Sequence, residues 1–370
     1  MIEIAVIGGG PAGLLAAREA ARKGVEVTVF ERDLEIGEPE RCAGLLSLSG
    51  LKRLSVGGLK KYLQNEVKGA VFHAESGREY FLDAKRTVAV IVSRKLFDQK
   101  LAEDCEGAGV RIFTGVRVKK VSKSGIFEIY TTTGVFHAPW VIDAEGAGSA
   151  LLRKTVGKAP EPNGWIPITQ FTVRGHGLPK DYVHLYFTSQ FPDFFAYFIP
   201  IDEEHGRVGA ASRIAWLSRK LESFLRREFP NAKILKKTSH VIYVGAPLRD
   251  LCLSHRFVPV GDAAGHVKAT TGGGVVMGGL ISMNLASAMA EHLRGGDPKP
   301  YLARARKIVG ELIEISCLRN LLYRVPQGLR EFLLKVTTSN PMAAYLARFG
   351  DMDFQSSTFL RCLGLRRGFT

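Results

Sequence analysis

Ile4-Ala5-Val6-Ile7-Gly8-Gly9-Gly10-Pro11-Ala12-Gly13 is a four-residue apolar run that ends in a glycine-rich turn. The run suits a parallel strand buried on both faces. The turn fits Gly-x-Gly-x-x-Gly through Gly8, Gly10 and Gly13. Leu14 to Lys23, rich in Ala, Leu and Arg and stopped by Gly24, predicts a helix with a glycine C-cap. Val25 to Phe30 predicts a second strand, closed by Glu31 and Arg32. The three glycines serve different ends. The first permits the tight turn, the second lets a pyrophosphate approach the backbone, and the third lets the helix pack on the strand. The helix start, at Ala12 and Gly13, presents free N–H groups and a positive dipole to phosphates. Glu31 stands 18 residues after Gly13, where a carboxylate accepts hydrogen bonds from ribose hydroxyls. The stretch predicts a dinucleotide site without saying which dinucleotide.

The rest of the chain bounds that reading. With 370 residues, 46% of them hydrophobic, it is long enough for two or three units around sizeable cores. The formal charge is +15, and residues 301–370 hold 11 Lys/Arg against 5 Asp/Glu. Anionic membrane lipid, a phosphorylated substrate or a merely solvated basic surface each fit this bias. No nucleic-acid motif accompanies it, so no nucleic-acid partner is expected. Cys42, Cys105, Cys252, Cys317 and Cys362 are odd in number and scattered, with no metal-ligand spacing, so no metal is expected. Whether Cys317 and Cys362 pair is open from sequence. The start has no secretory pattern and predicts a cytoplasmic protein. Gly272 to Ala290 is 19 residues without a charge, but its five glycines favour a buried helix that starts at a ligand over a membrane span.

The far end of the sequence separates the dinucleotides. Arg256-Phe257-Val258-Pro259-Val260-Gly261-Asp262-Ala263-Ala264-Gly265-His266 is a strand running into Gly-Asp-Ala-Ala-Gly. Here the chain resembles the FAD-dependent oxidoreductases of the para-hydroxybenzoate hydroxylase fold. Arg94 in Ser93-Arg94-Lys95-Leu96-Phe97-Asp98 looks like that family's Arg-x-x-Phe-Asp element. Asp143-Ala144-Glu145-Gly146-Ala147-Gly148-Ser149 looks like its Asp-Gly-x-x-Ser stretch, with Glu145 where Asp is usual. Val116 to Val121, Ile126 to Thr131 and Val135 to Ile142 look like the three-stranded crossover that lies over the adenine, which places Val118 there. The resemblance covers residues 1 to about 295. It implies FAD as cofactor, with Asp262 on the ribityl side and Gly265 closing the same element. No second complete Gly-x-Gly-x-x-Gly is present for a stably bound nicotinamide.

Within that fold three pieces resemble the geranylgeranyl reductase family, the archaeal enzymes that saturate digeranylgeranylglycerophospholipids in particular. The first is Glu40-Arg41-Cys42-Ala43-Gly44-Leu45, on the loop that passes close to the flavin in that family. The second is Lys268-Ala269-Thr270-Thr271-Gly272-Gly273-Gly274-Val275, whose glycines would offer N–H groups to the negative edge of the flavin. The third is Pro192-Asp193-Phe194-Phe195-Ala196-Tyr197-Phe198-Ile199-Pro200, similar to the family's Pro-x-x-Tyr-x-Trp-x-Phe-Pro. Phe195 stands there for Tyr, Tyr197 for Trp and Ile199 for Phe, which leaves chain length and regioselectivity open. The resemblance implies Phe195, Tyr197, Ile199 and Pro200 as a wall for an isoprenoid chain, where the aromatic strand alone reads equally as core, and His266 as a contact at the substrate and flavin edge, where the residue alone reads equally as a hydrogen-bonded structural histidine. It implies Arg41, Cys42, Ala43 and Gly44 beside the flavin, with Cys42 as the candidate catalytic group. Lys268 could pair with an anionic flavin or cover the surface.

The expected fold class is α/β, a Rossmann-like FAD-binding domain with an antiparallel sheet domain and a helical C-terminal region. The FAD domain is expected from residues 1–50, 87–150 and 250–297, the sheet domain from 51–86 and 151–249, and the helical region from 298–370. The expected activity is saturation of isolated C=C bonds in geranylgeranyl chains. The alternatives are a flavin monooxygenase or halogenase of the same fold, or a flavin electron-transfer protein. Expected partners are an isoprenoid lipid or polyprenyl phosphate substrate, an external electron donor (NAD(P)H or ferredoxin-like) and an anionic membrane surface touched peripherally.

Overall fold

The computed structural model describes residues 2–362 and 364. Its first layer is a five-stranded parallel sheet in the order Phe257–Pro259, Trp140–Asp143, Ile4–Ile7, Val27–Phe30, Arg111–Phe113. The three innermost strands are buried along their whole length, as a sheet covered on both faces requires. The helices Pro11–Arg22, Arg94–Gly107 and Val275–Leu293 pack on it through one core with Leu14, Leu15, Phe97, Met277 and Leu285.

Two local differences from the sequence reading have simple causes. The first helix starts at Pro11, not Leu14, because a proline at the first helical position gives up only an N–H that has no helical partner. The stretch 135–142 is two strands, not one. Val135–Ala138 belongs to a three-stranded antiparallel sheet with Val118–Ser124 and Ile126–Thr131, and Trp140–Asp143 to the parallel sheet. Pro139 sits at the break, where a residue without an N–H cannot continue the ladder.

The second layer is a seven-stranded sheet in the order Lys233–Tyr243, Trp165–Arg174, His205–Ala211, Ala196–Pro200, Tyr182–Tyr186, Gly69–His73, Glu79–Asp83. It is antiparallel except between Tyr182–Tyr186 and Gly69–His73. Alternation along its strands sends Phe171, Val173, Tyr186, Phe198 and Val208 outward, under the helix Leu217–Glu228. Ile166, Ile168, Val183, Phe195, Tyr197 and Ile199 go to the other face, into the main core. A small sheet of Leu45–Ser47, Ala89–Val92 and Leu63–Val67 joins the layers.

The last part is helical: Lys299–Arg324, Gln327–Thr337, Asn340–Phe349 and Gln355–Cys362. Val309 and Leu312 are buried, but Leu321 is 62% exposed because the first of these helices outruns the core it packs on. The segment between the last two helices folds back over the sheet layers through Asp351, Met352 and Asp353. None of the helices among the described residues is long and apolar enough to cross a membrane. All five cysteines are free thiols, Cys317 and Cys362 included.

Candidate active site

The glycine turn separates two functions by geometry. Gly8 has φ +107°, and a Cβ on it would lie 2.2 Å from the Ala144 carbonyl oxygen. A Cβ on Gly13 would lie 2.1 Å from the Gly8 carbonyl oxygen. Both are packing glycines. Gly10 has the unstrained φ −78° and ψ 176°, and a Cβ there would meet nothing within 4 Å. It faces a hollow. Glu31 reaches back from the end of the second strand, accepting from the Gly9 N–H at 2.5 Å and the Asp33 N–H at 2.8 Å.

Two adjoining hollows meet at this turn and share Gly10, Glu31, Asp33, Ala144 and Gly146. One, of about 500 Å³, is lined by Gly8, Arg32, Val118 and Glu145 and lies beside the three-stranded sheet. The other, of about 710 Å³, passes Ala12 and Gly13 and opens between the parallel sheet and the inward face of the seven-stranded one. Its polar side carries Arg41, Cys42, Ala43, Arg94, Asp262, Gly272, Gly273, Gly274 and Val275. Its apolar side carries Ile168, Val183, Leu185, Phe195, Tyr197 and Ile199. Of the residues expected at the substrate, Pro200 and His266 are not in this lining. Pro200 points its carbonyl to Asn65 at 3.1 Å, and His266 is sealed below the start of the helix Val275–Leu293, where burial pushes it down to about 3. Gly44 and Gly265 do not line it either. A Cβ on Gly44 would strike the Val92 carbonyl oxygen, and one on Gly265 the Tyr243 ring, so they shape the chain beneath the site.

Charges around the cavity are held by neighbours. Arg94 donates to Asp98 through three contacts of 3.2, 3.1 and 3.0 Å. Burial alone would depress the Arg94 guanidinium, but Asp98 and Cys42 beside it hold it above its ordinary value. Burial pushes the Asp98 carboxyl up to about 6 against the pull of Arg94. Burial likewise raises Asp262, with Arg94 opposing. Asp143 is held far above the carboxylate range by burial and by the charge of Glu145. Glu145 accepts the Leu151 and Leu152 N–H groups at 2.7 and 3.1 Å, so it anchors the start of the helix Ala150–Val156.

The Cys42 loop is clasped from outside. Glu40 accepts the Arg94 backbone N–H at 2.6 Å and faces Arg207 at 3.4 Å, while Arg207 donates to the Ala43 carbonyl at 3.2 Å. The sulfur accepts from the Gly44 N–H at 3.4 Å. At the opposite edge Gly272 gives its N–H to the Lys268 carbonyl at 2.8 Å. The donors left at that edge are the N–H groups of Gly273, Gly274 and the first helical turn from Val275. Lys268 is not free to serve as a counter-charge. Its ammonium lies 2.6 Å from Asp353 and 3.1 Å from the Met352 carbonyl, and Ser47 donates to the other Asp353 oxygen. Both partners are nearly inaccessible. Asp353→Ala therefore strands a buried ammonium and should cost roughly 3–5 kcal/mol. A urea midpoint close to wild type would contradict this, and Lys268→Met in the same chain should recover most of the loss.

Comparison with known proteins fits this geometry. A family model described as FAD dependent oxidoreductase matches residues 85–291, more than half of the chain, and a second of the same description matches residues 3–156. The chain belongs to the FAD-dependent oxidoreductases. Its cofactor is FAD. Digeranylgeranylglycerophospholipid reductase of Methanothrix thermoacetophila is 27% identical over 84% of this chain and 84% of its own length. The protein of that name from Thermoplasma acidophilum is 28% identical over 86% and 85%. In structure the chain is similar to a geranylgeranyl bacteriochlorophyll reductase-like protein from Thermoplasma acidophilum, with a TM-score of 0.83, 22% identity and 98% of both chains covered. It is also similar to p-nitrophenol 4-monooxygenase from Pseudomonas putida, with a TM-score of 0.75, 17% identity and 94% and 96% covered.

The residues present fit FAD. The open space at Gly10 leaves room for a pyrophosphate, Glu31 ends the strand beside it, and Asp262 offers a half-buried carboxylate in the cavity wall to a hydroxyl further along. Sequence reasoning missed four residues around the site. Arg207 and Asp353 act by contacts 164 and 85 residues away, which no local pattern announces. Gln170 accepts the Tyr197 hydroxyl at 2.9 Å. His240 lines the cavity from an edge strand, where burial holds it down to about 4. The last two were open to discovery through strand alternation, since each shares a face with Ile168.

Proposed function

We propose that this FAD-dependent oxidoreductase saturates isolated carbon–carbon double bonds of geranylgeranyl-type chains carried by lipid precursors. The observation that carries the reading is the cavity of about 710 Å³, walled on one side by Phe195, Tyr197, Ile199 and Leu185 and reaching Cys42 and the dinucleotide turn on the other. A hydrocarbon chain offers no polar group to hold, so binding must come from apolar area. Each buried CH₂ contributes about 0.8 kcal/mol. The names of the curated relatives point to the same substrate class.

The cofactor would be held by Gly8, Gly10, Ala12, Gly13, Glu31 and Arg32 at its adenosine and pyrophosphate, with Val118 over the adenine. Arg94, Asp262 and the helix start at Gly274 and Val275 would hold its other half. When bound and reduced, FAD supplies a hydride to one alkene carbon, and an external donor must restore its electrons. The remaining work belongs to the chain. The apolar wall aligns the alkene and keeps water out. A proton must reach the second alkene carbon, because an isolated alkene has no carbonyl to take up the charge. The Tyr197 hydroxyl is committed to Gln170. The Cys42 sulfur accepts from the Gly44 N–H, which leaves its own S–H proton to donate into the cavity. We assign Cys42 that role. Co-expression with geranylgeranylated lipid synthesis tests the reading. Mass spectrometry should find lipids heavier by two hydrogens per saturated bond, and an unchanged lipid profile with FAD-loaded protein would contradict it.

A further inference from the structure

The helix Gln327–Thr337 presents an apolar face to the outside. Leu329, Phe332, Leu333 and Val336 follow the three- and four-residue steps that align on one side of a helix. They are 48%, 56%, 38% and 40% exposed. Glu331 leaves the helix on the other side, where it accepts from the Ser76 hydroxyl at 2.6 Å and the Tyr80 hydroxyl at 3.0 Å and lies 3.6 Å from Arg78. The polar side thus fastens the helix to the hairpin of Gly69–His73 and Glu79–Asp83, and the stripe faces away from it. That hairpin also lines the cavity through Phe72 and Leu82. Met352 lines the cavity too, and it is 38% exposed, so it stands at an opening. Phe349 beside it is 47% exposed.

We propose that this stripe docks the protein on an anionic bilayer, with the part of the cavity lined by Phe72, Leu82 and Met352 turned toward the lipid. Charge selects this occupant. Arg324, Lys335 and Arg348, on this helix and on the helices before and after it, are exposed, while the one acidic residue of its helix, Glu331, is engaged with the hairpin. A second copy of the same face would bring like charges together, and a bilayer of anionic lipid brings opposite ones. The helix is too short to span and has the form that lies in the interface, apolar side down. The proposal rests on the reading that the substrate is lipid-borne: its chain would then pass from bilayer to cavity without being exposed to water.

The test uses the FAD-loaded full chain and a Phe332→Ser, Leu333→Ser variant, neither residue being part of the cavity. Co-sedimentation is measured with vesicles of phosphatidylcholine alone and of phosphatidylcholine with phosphatidylglycerol. Wild type should bind the mixed vesicles, less so as salt is raised. The variant should bind them about 100-fold more weakly, since two large apolar side chains no longer enter the interface. Turnover of a geranylgeranyl lipid embedded in vesicles should fall with binding, while turnover of the same lipid dispersed in detergent stays at the wild-type level. Equal sedimentation of variant and wild type overturns the docking surface. So does a wild-type dimer that the variant turns into a monomer without loss of vesicle binding. Absence of turnover in detergent by wild type would instead count against the lipid-reductase reading, and sedimentation would still decide the docking.

Discussion

Cys42→Ala is expected to keep FAD and to slow oxidation of the reduced protein by an isoprenoid alkene by about 100-fold or more, the lower range for a positioned acid. The expectation follows from what surrounds the sulfur. Cys42 stands in the cavity wall, receives the Gly44 N–H and lies beside Arg94, so its neighbours donate to it and its own proton remains available. The loop is held by Glu40, Arg94 and Arg207, none of which changes in the variant. Cys42→Ser separates two roles. If the thiol delivers the proton, Ser recovers little, because a hydroxyl is a far weaker acid than a thiol. If Cys42 only shapes the cavity, Ser restores most of the rate and Ala changes chiefly substrate affinity or product distribution. Anaerobic stopped-flow on both variants reads the difference, and wild-type rates in both would remove Cys42 from the chemistry.

Gly10→Val should abolish FAD binding while leaving a folded protein. The backbone at Gly10 is in the extended region that any residue adopts, and an added Cβ meets no protein atom. The valine therefore projects into the hollow at the helix start, where the pyrophosphate must approach. Gly13→Val is the contrasting variant. Its Cβ would press on the Gly8 carbonyl, so it should fail in folding rather than in binding. Circular dichroism together with the flavin absorbance of the purified variants checks both. A fully FAD-loaded Gly10→Val protein would contradict the assignment of the turn.

What could be read in the sequence was what repeats locally. The glycine turn, the strand ending at Glu31 and the Gly261-Asp262 element each combine a short apolar run with a turn whose backbone demands particular residues. The structure places them together around one cavity. Where reading failed, the deciding contact lay far away in the chain. Lys268 looked available as a counter-charge until the chain returned 85 residues later with Asp353. His266 follows the Gly-Asp motif directly, yet the turn that exposes Asp262 buries His266 under the helix start. The division of residues 135–142 was legible in Pro139, whose missing N–H ends one ladder before the next begins. The clasp of Arg207 on Glu40 and Ala43 joins two layers of the fold, and no spacing in either segment predicts it.

The central claim is that electrons held on the cofactor pass to an isolated alkene in the cavity of Cys42 and Tyr197. Its most direct measurement is anaerobic: the FAD-loaded protein is reduced, a detergent-dispersed geranylgeranyl lipid is added, and flavin absorbance and product mass are followed together. One double bond should be saturated for each flavin oxidised, with a mass gain of two hydrogens and no oxygen incorporated. A flavin that stays reduced under the alkene, and is oxidised only when oxygen is admitted with an oxygenated product appearing, would contradict the account.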